Sequence, residues 1–148
     1  MRSNYDELKL ENQLCFPIYL CAKELIRKYT PFLKKVDLTY TQYIVMMYFW
    51  EKKTSNVKEL GKTLLLDSST LTPLLKKLET KGYISRNRST KDERNLVICI
   101  TKKGELLKGE VTSIPKKIGD CLKLTKSEAE TLYKLIYKVL INIEKEEQ

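Results

Sequence analysis

A mainly helical fold carrying one small β-hairpin, an α+β arrangement, is predicted for this chain on three observations. Apolar residues recur at spacings of three and four over most of its length, the period of a helix with one buried face. Between Tyr83 and Ile100 that period gives way to two short runs around a polar turn, Y-I-S-R-N-R and L-V-I-C-I around S-T-K-D-E-R-N, which reads as a hairpin. Three helix starts are written as capping boxes, T-Y-T-Q at Thr39, N-V-K-E at Asn56 and T-K-S-E at Thr125.

Residues 7–36 form a first helical region through Leu14, Ile18, Ala22, Leu25, Ile26, Tyr29, Leu33 and Val36. Proline lacks the N–H a helix interior needs. Pro17 therefore predicts either a kink near Cys15 or a late start with Pro17 in the first turn, and Pro31 predicts a second break. Tyr40 to about Glu51 is a very apolar helix for the core, and Lys52 to Ser55 reads as a polar turn. In the next helix, Val57 to Leu65, residues Leu60, Leu64 and Leu65 are expected to face inward, and Gly61 lets a partner helix come close.

Asp67 to Gly82 is the stretch the chain is organised around. Leu71, Leu74, Leu75 and Leu78 fall on one helical face, Asp67 can cap its start and Gly82 can close its end. The opposite face carries Ser68, Ser69, Thr70, Thr72, Lys76 and Lys77, hydroxyls and cations without a carboxylate. Such a helix followed by a basic hairpin is a winged helix-turn-helix. The helix would lie in a major groove and the hairpin would reach an adjacent groove.

After the hairpin a helix runs from Thr101 to about Ser113, Pro115 breaks it, and a short segment holds Cys121. The last helix carries Leu132, Leu135, Ile136, Val139, Leu140 and Ile143. That stripe is long for a terminal helix with no domain left to cover, and with the N-terminal helix it makes a natural homodimer interface. The expected organisation is a single chain, 1–148, in which 39–104 form the winged helix-turn-helix and 1–38 with 105–148 form the helical dimerisation region.

Composition narrows the function. The chain has 148 residues, 42% hydrophobic, which suits one domain with a modest core or a core completed by dimerising. Net charge is +9, and its distribution matters more than its total. Residues 1–55 hold 9 basic and 6 acidic side chains, residues 56–104 hold 11 and 5, and residues 105–148 hold 8 and 8. The excess peaks on the helix and hairpin, the footprint of a polyanion binder. The polar N-terminus does not read as a signal peptide, and no apolar run approaches the roughly 18 residues of a membrane span. A cytoplasmic protein is expected, with Cys15, Cys21, Cys99 and Cys121 reduced at rest. The absence of histidine excludes His-based zinc sites and Ser-His-Asp chemistry. No metal or cofactor is expected, and no enzyme.

Several stretches are more specific than these patterns. Leu66 to Glu79 reads L-D-S-S-T-L-T-P-L-L-K-K-L-E, followed by G-Y-I-S-R-N-R and by D-E-R at Asp92 to Arg94. Together they resemble the MarR family of repressors over nearly the full length. Leu10 to Phe16 reads L-E-N-Q-L-C-F, Tyr29 ends the first helix, and Leu38 to Tyr40 reads L-T-Y. In these the chain is similar to the organic hydroperoxide resistance repressors within that family. The resemblance implies a MarR-type dimer on a pseudo-palindromic double-stranded operator, a redox-sensing transcriptional repressor responding to organic hydroperoxides through oxidation of Cys15. It implies that Tyr29 and Tyr40 of the other subunit hydrogen-bond the Cys15 thiolate. It implies that Ser68, Ser69, Thr70, Thr72, Lys76 and Lys77 face the operator, with Arg86 and Arg88 at phosphates. Arg94, steadied by Asp92 and flanked by Lys91, would enter the minor groove. Cys121 lies where some members carry a resolving cysteine and others have none.

The chemistry fits those roles. Only a thiolate attacks a peroxide efficiently, a helix start favours negative charge, and Phe16, Ile18, Tyr19, Phe49 and Trp50 could supply an apolar approach. The product is a sulfenic acid, to be trapped by Cys121 of the other subunit or by a small thiol. Cys21 and Cys99 read as plain core. Three other readings stand beside this one. A regulator of the same family could sense a phenolic ligand, and would then release DNA on ligand addition with all cysteines replaced, or it could be a global regulator using the same cysteine for another thiol oxidant. A thiol peroxidase would have no use for a basic wing. An RNA-binding module would need an exposed aromatic platform, whereas the aromatics here lie in apolar periods.

Overall fold

The computed structural model describes residues 5–91 and 96–146. Two 3-10 turns, Asp6–Leu8 and Leu10–Asn12, lead into seven helices and three strands among these residues. They are α1 (Cys15–Lys34), α2 (Tyr40–Lys52), β1 (Thr54–Asn56), α3 (Val57–Leu64), α4 (Ser68–Thr80), β2 (Ile84–Arg88), β3 (Leu96–Ile100), α5 (Lys102–Val111), α6 (Ile114–Leu122) and α7 (Lys126–Glu146). The chain divides into two compact units, Met1–Thr112 and Ser113–Gln148.

Side-chain caps set the helix starts. The Gln42 N–H donates to Thr39 Oγ1 at 3.3 Å and the Thr39 N–H donates back to Gln42 Oε1 at 3.1 Å, a complete capping box. Thr125 and Glu128 do the same before α7, at 2.8 and 3.3 Å. Asn56 makes only the forward bond, accepting from the Glu59 N–H at 2.8 Å, while the Glu59 carboxylate accepts from the Ser55 hydroxyl at 3.4 Å. Asp67 caps α4, accepting from the Thr70 N–H at 2.7 Å and the Ser69 hydroxyl at 2.5 Å. Gly82, at φ +79°, closes α4 in a conformation other residues adopt with strain.

Several expectations are corrected. The N-terminal helix begins at Cys15 rather than residue 7, which is the late start with Pro17 in the first turn that the sequence offered as an alternative to a kink, and the missing Pro17 N–H there costs no helical bond. Pro31 does not break α1. It lies in the last turn, and the helix runs through it to Lys34. The expected turn at Lys52 to Ser55 holds a third strand. β1 pairs antiparallel with β3, Ser55 opposite Ile98, and the sheet order is β1-β3-β2. Three residues are too few to show an alternation. Only the fold reveals that Ser55 is buried and meets the Tyr48 hydroxyl at 3.0 Å. Leu65 is exposed instead of inward, because it takes the left-handed turn that ends α3. Cys21 is exposed on α1 and Cys99 is partly exposed on β3, so neither is plain core. Pro115 starts the helix that contains Cys121.

Unit 1 is built around α2. Val45, Met46 and Phe49 are fully buried there, joined by Leu33 of α1, Leu60 of α3, Leu71, Leu75 and Leu78 of α4, and Ile84 and Ile98 of the sheet. Burying each such side chain favours folding by roughly 1.5–3 kcal/mol. Gly61 permits a close approach, though mainly of its own chain: a Cβ there would stand 2.7 Å from the Leu66 carbonyl oxygen and 3.3 Å from Leu71 Cδ1. Gly104 is tighter. A Cβ would run into the Tyr83 carbonyl and stand 2.9 Å from Ile100 Cγ1, while the Gly104 carbonyl itself accepts from Trp50 Nε1 at 2.8 Å. Arg86 of β2 is tied to Glu79 of α4, Nε at 2.8 Å and Nη2 at 2.6 Å from the same carboxylate oxygen.

In unit 2, α7 has no buried residue among those described. Leu135 is 55% exposed and Ile143 53%, so the apolar stripe read from the sequence stands open in the single chain.

Two outcomes follow from these contacts. Gly104→Ala must push back Tyr83 backbone, and is expected to destabilise by about 1–3 kcal/mol, read as a lower melting temperature at unchanged helix content. The Asp67 carboxyl lies below the ordinary carboxylate range because it accepts from the Ser69 hydroxyl and then from Thr70. Glu79 is lowered by its hydrogen bonds and charge contact with Arg86. Groups depressed by folding stabilise above their unfolded value and lose that contribution as pH falls through the folded one. Melting temperature should therefore drop from about pH 5 towards pH 3, and Asp67→Asn with Glu79→Gln, which cap or bond without titrating, should flatten that limb. An equally steep limb in the double variant would remove both groups from the account.

Candidate functional site

Two groups of residues stand out in unit 1, a polar helix face beside a basic hairpin and an aromatic cluster beneath a cysteine-bearing helix. The leucine stripe of α4 is buried, which turns Ser68, Ser69, Thr70, Thr72, Lys76 and Lys77 outward, and all six are exposed. Ser69 has its proton committed to Asp67. Its oxygen remains an acceptor, and the other hydroxyls can donate or accept. Lys76 and Lys77 stand two turns further along the helix.

The hairpin residues differ among themselves. Arg88 is exposed at the end of β2, and Lys91 is exposed with its N–H on Ser89 Oγ at 3.2 Å. Arg86 is only 19% exposed and holds β2 to α4 through Glu79, so two of its N–H groups face protein rather than solvent. Asp92 and Arg94 lie outside the described residues. Behind the α4 terminus, Lys81 reaches Asp37 Oδ2 at 3.1 Å and Gln42 Oε1 at 3.3 Å, and Lys103 donates to the Lys81 carbonyl at 2.7 Å. The end of α4 is thereby tied to the α1–α2 turn and to α5, which holds its polar face at a set angle.

Cys15 is the first residue of α1 and is exposed. Leu14 offers no side-chain cap, so the first-turn N–H groups, those of Cys15 and Phe16 but not Pro17, are left uncapped by it. Tyr29 follows fourteen residues later, close to four turns on, and so on the same face about 21 Å away. Tyr29 and Tyr40 stack with ring centroids 4.9 Å apart. Burial holds both hydroxyls above the ordinary phenol range, with Tyr40 adding to the effect on Tyr29. They stay protonated and able to donate at neutral pH. A thiolate contact with Cys15 cannot form within one chain over that distance. It takes a second copy.

Phe16 is partly buried and Ile18 and Tyr19 are exposed beside Cys15, whereas Phe49 and Trp50 are in the core and line no open approach. Cys121 is exposed in unit 2. Sequence reasoning passed over Tyr43, whose ring lies 5.8 Å from Tyr29 and 6.3 Å from Tyr40. Its position three after Tyr40 was the available signal. It placed Gln42 in the Thr39 capping box without marking it as buried, and it passed over the Glu79–Arg86 pair, which joins two elements across a turn. Among the described residues no group of three potential ligands could hold a metal ion, and no helix is long and apolar enough to cross a membrane.

This geometry can be set beside known proteins. The SarA/Rot family of transcriptional regulators matches residues 27–111. The organic hydroperoxide resistance transcriptional regulator of Bacillus subtilis is 42% identical over 145 residues, covering 93% of this chain and 99% of that protein. The HTH-type transcriptional regulator SarZ of Staphylococcus saprophyticus is 47% identical over 133 residues, covering 87% and 91%. Among solved structures, reduced AbfR bound to DNA, from Staphylococcus epidermidis, superimposes with a TM-score of 0.78 at 31% identity, covering 95% and 99%. A polar recognition-type helix, a hairpin wing and this extent of likeness agree: the chain belongs to the SarA/Rot family of transcriptional regulators, a MarR-like winged-helix family.

Proposed function

We propose that this chain is a homodimeric, DNA-binding transcriptional repressor that senses organic hydroperoxides through oxidation of Cys15. The observation that carries the reading is the placement of Cys15 at the start of α1, on the helix face that carries Tyr29 four turns later, where the Tyr29 ring meets Tyr40 of α2. Two copies related by a twofold axis with their α1 helices antiparallel would bring each Cys15 to the other's Tyr29 and Tyr40. The exposed stripes of α1 and α7 supply apolar area for such a dimer. The likeness to a hydroperoxide resistance regulator and to a reduced regulator bound to DNA supports the same reading.

The chemistry balances with the hydroperoxide as oxidant. The Cys15 thiolate attacks the terminal oxygen of ROOH. An S–O bond forms, the O–O bond breaks, sulfur gives up two electrons and the alkoxide leaves, taking a proton to become the alcohol. The resulting sulfenic acid then condenses with a second thiol, Cys121 of the other copy or a small thiol, forming a disulfide and releasing water. Either product removes the negative charge that the tyrosine hydroxyls were donating to, and α1 and α2, which bear them, are free to shift. Both helices pack in the unit that holds α4, so the shift alters the spacing of the two recognition helices. In the DNA-bound state α4 occupies the major groove and Lys76 and Lys77 meet phosphates. Arg88, Lys91, Asp92 and Arg94 belong to the wing at the adjacent groove. The protein acts in the cytoplasm as a regulator, and its one chemical event is stoichiometric rather than catalytic.

Two measurements test this. In gel-shift titrations over a range of salt, Lys76→Ala and Lys77→Ala should each lower the slope of log affinity against log salt by about one. Unchanged slopes would take both lysines off the phosphates. In release titrations with cumene hydroperoxide, Cys15→Ser should bind the operator as the parent does and stay bound when oxidant is added, since serine cannot form a sulfenic acid. Matching release curves for parent and Cys15→Ser would mean that sensing lies elsewhere.

A further inference from the structure

The two tyrosines that would serve Cys15 do not rest on bulk core. Both lean on Tyr43, which is 2% exposed while Tyr29 and Tyr40 are only partly buried. The three rings are tilted to one another by 57°, 39° and 47°, each pair inside the range at which aromatic faces and edges attract. On its far side Tyr43 meets Trp50 edge to face at 6.1 Å and 64°. Trp50 is in turn fixed by its Nε1–H on the Gly104 carbonyl at 2.8 Å, and Gly104 is wedged against the Tyr83 backbone. A continuous line of contacts therefore runs from the Tyr83–Gly104 backbone through Trp50 and Tyr43 to the two half-buried phenols.

Each end of that line differs in freedom. The Gly104 end is bonded to Trp50 and lies so close to the Tyr83 carbonyl that it leaves no room for a Cβ. The phenol end reaches the surface, where a partner's residue can approach. Tyr29 sits on α1 and Tyr40 on α2, so their hydroxyls share one direction only if something sets both rings at once. Tyr43 meets both rings, at 5.8 and 6.3 Å.

We propose that Tyr43 is a positioning residue for the Cys15 reaction, its ring face holding the Tyr29 and Tyr40 phenols in the attitude that meets the partner's thiolate. This rests on the hydroperoxide-sensing reading above. Tyr43 touches no reacting atom. It acts by shape, through the ring and not through its hydroxyl, and its own support is the Trp50–Gly104 bond.

The test uses the reduced full-length dimer with cumene hydroperoxide, following sulfenic acid formation at Cys15 by stopped flow and by mass of a trapped adduct. Tyr43→Leu keeps an apolar side chain but removes the flat face, and should slow oxidation by about tenfold or more, since small misplacements cost that much. Tyr43→Phe keeps the face and should react within about twofold of the parent, a rescue that marks ring shape as the cause. Reduced operator affinity should be unchanged in both. If Tyr43→Leu fails to bind operator, Tyr43→Met, unbranched and longer, takes its place with the same expectation. Parent-like rates in Tyr43→Leu beside a slowed Tyr29→Phe would overturn this proposal and leave the sensing reading standing. Equal slowing in Tyr43→Leu and Tyr43→Phe would also overturn it, since the hydroxyl would then be the operative group. A parent-like release curve for Cys15→Ser would take down the sensing reading and this inference with it.

Discussion

The hydrogen bond from Trp50 Nε1 to the Gly104 carbonyl is the joint on which the rest of the first unit depends. It fastens the most apolar helix of the chain to the start of α5 at a point where glycine is required. The same few residues gather the other elements. The Thr101 hydroxyl donates to the Gly82 carbonyl at the end of the recognition helix, and the Thr101 N–H donates to the Tyr83 carbonyl at the foot of the hairpin. Core helix, recognition helix, wing and α5 thus meet around one buried junction. An indole N–H left without its acceptor there would cost the desolvation of a polar group, about 1–3 kcal/mol. That penalty keeps the junction closed.

Two features of the first unit are laid out from that joint. On one side the leucine face of α4 is pressed into the core and its hydroxyls and lysines turn outward. On the other, a ladder of rings leads towards the face of α1. The ties among Lys81, Asp37 and Gln42 connect the two sides along the surface. Gln42 belongs to the same turn of α2 as Tyr40 and Tyr43, so a rotation of that turn would strain the bond that holds the end of α4. The structure thus offers a short mechanical route between an aromatic cluster and the exposed polar face of α4.

Much of this was legible in the sequence, and the reasons are local. The α4 leucines could be read because their spacing encodes a face without reference to anything else. Capping boxes could be read because donor and acceptor are three residues apart. What escaped was everything decided at a distance. Thr54 to Asn56 becomes a strand only because β3 arrives beside it. Leu65 turns outward because the chain needs a left-handed residue there. Glu79 and Arg86 find each other across a turn whose angle the sequence does not state. In the candidate redox site the cysteine and two tyrosines were approached by motif, whereas Tyr43, which joins them to the core, has meaning only in three dimensions.

The composition of the aromatic ladder has an optical consequence. The chain holds nine tyrosines and a single tryptophan, and that tryptophan is Trp50, 7% exposed at the joint itself. Excitation absorbed by the tyrosines beside it drains by resonance into one indole whose N–H is already bonded. Intrinsic emission from this protein is therefore a local gauge. It reports the polarity and hydrogen bonding at the seam between the core helix and the start of α5, with no label added and no second indole to dilute the signal.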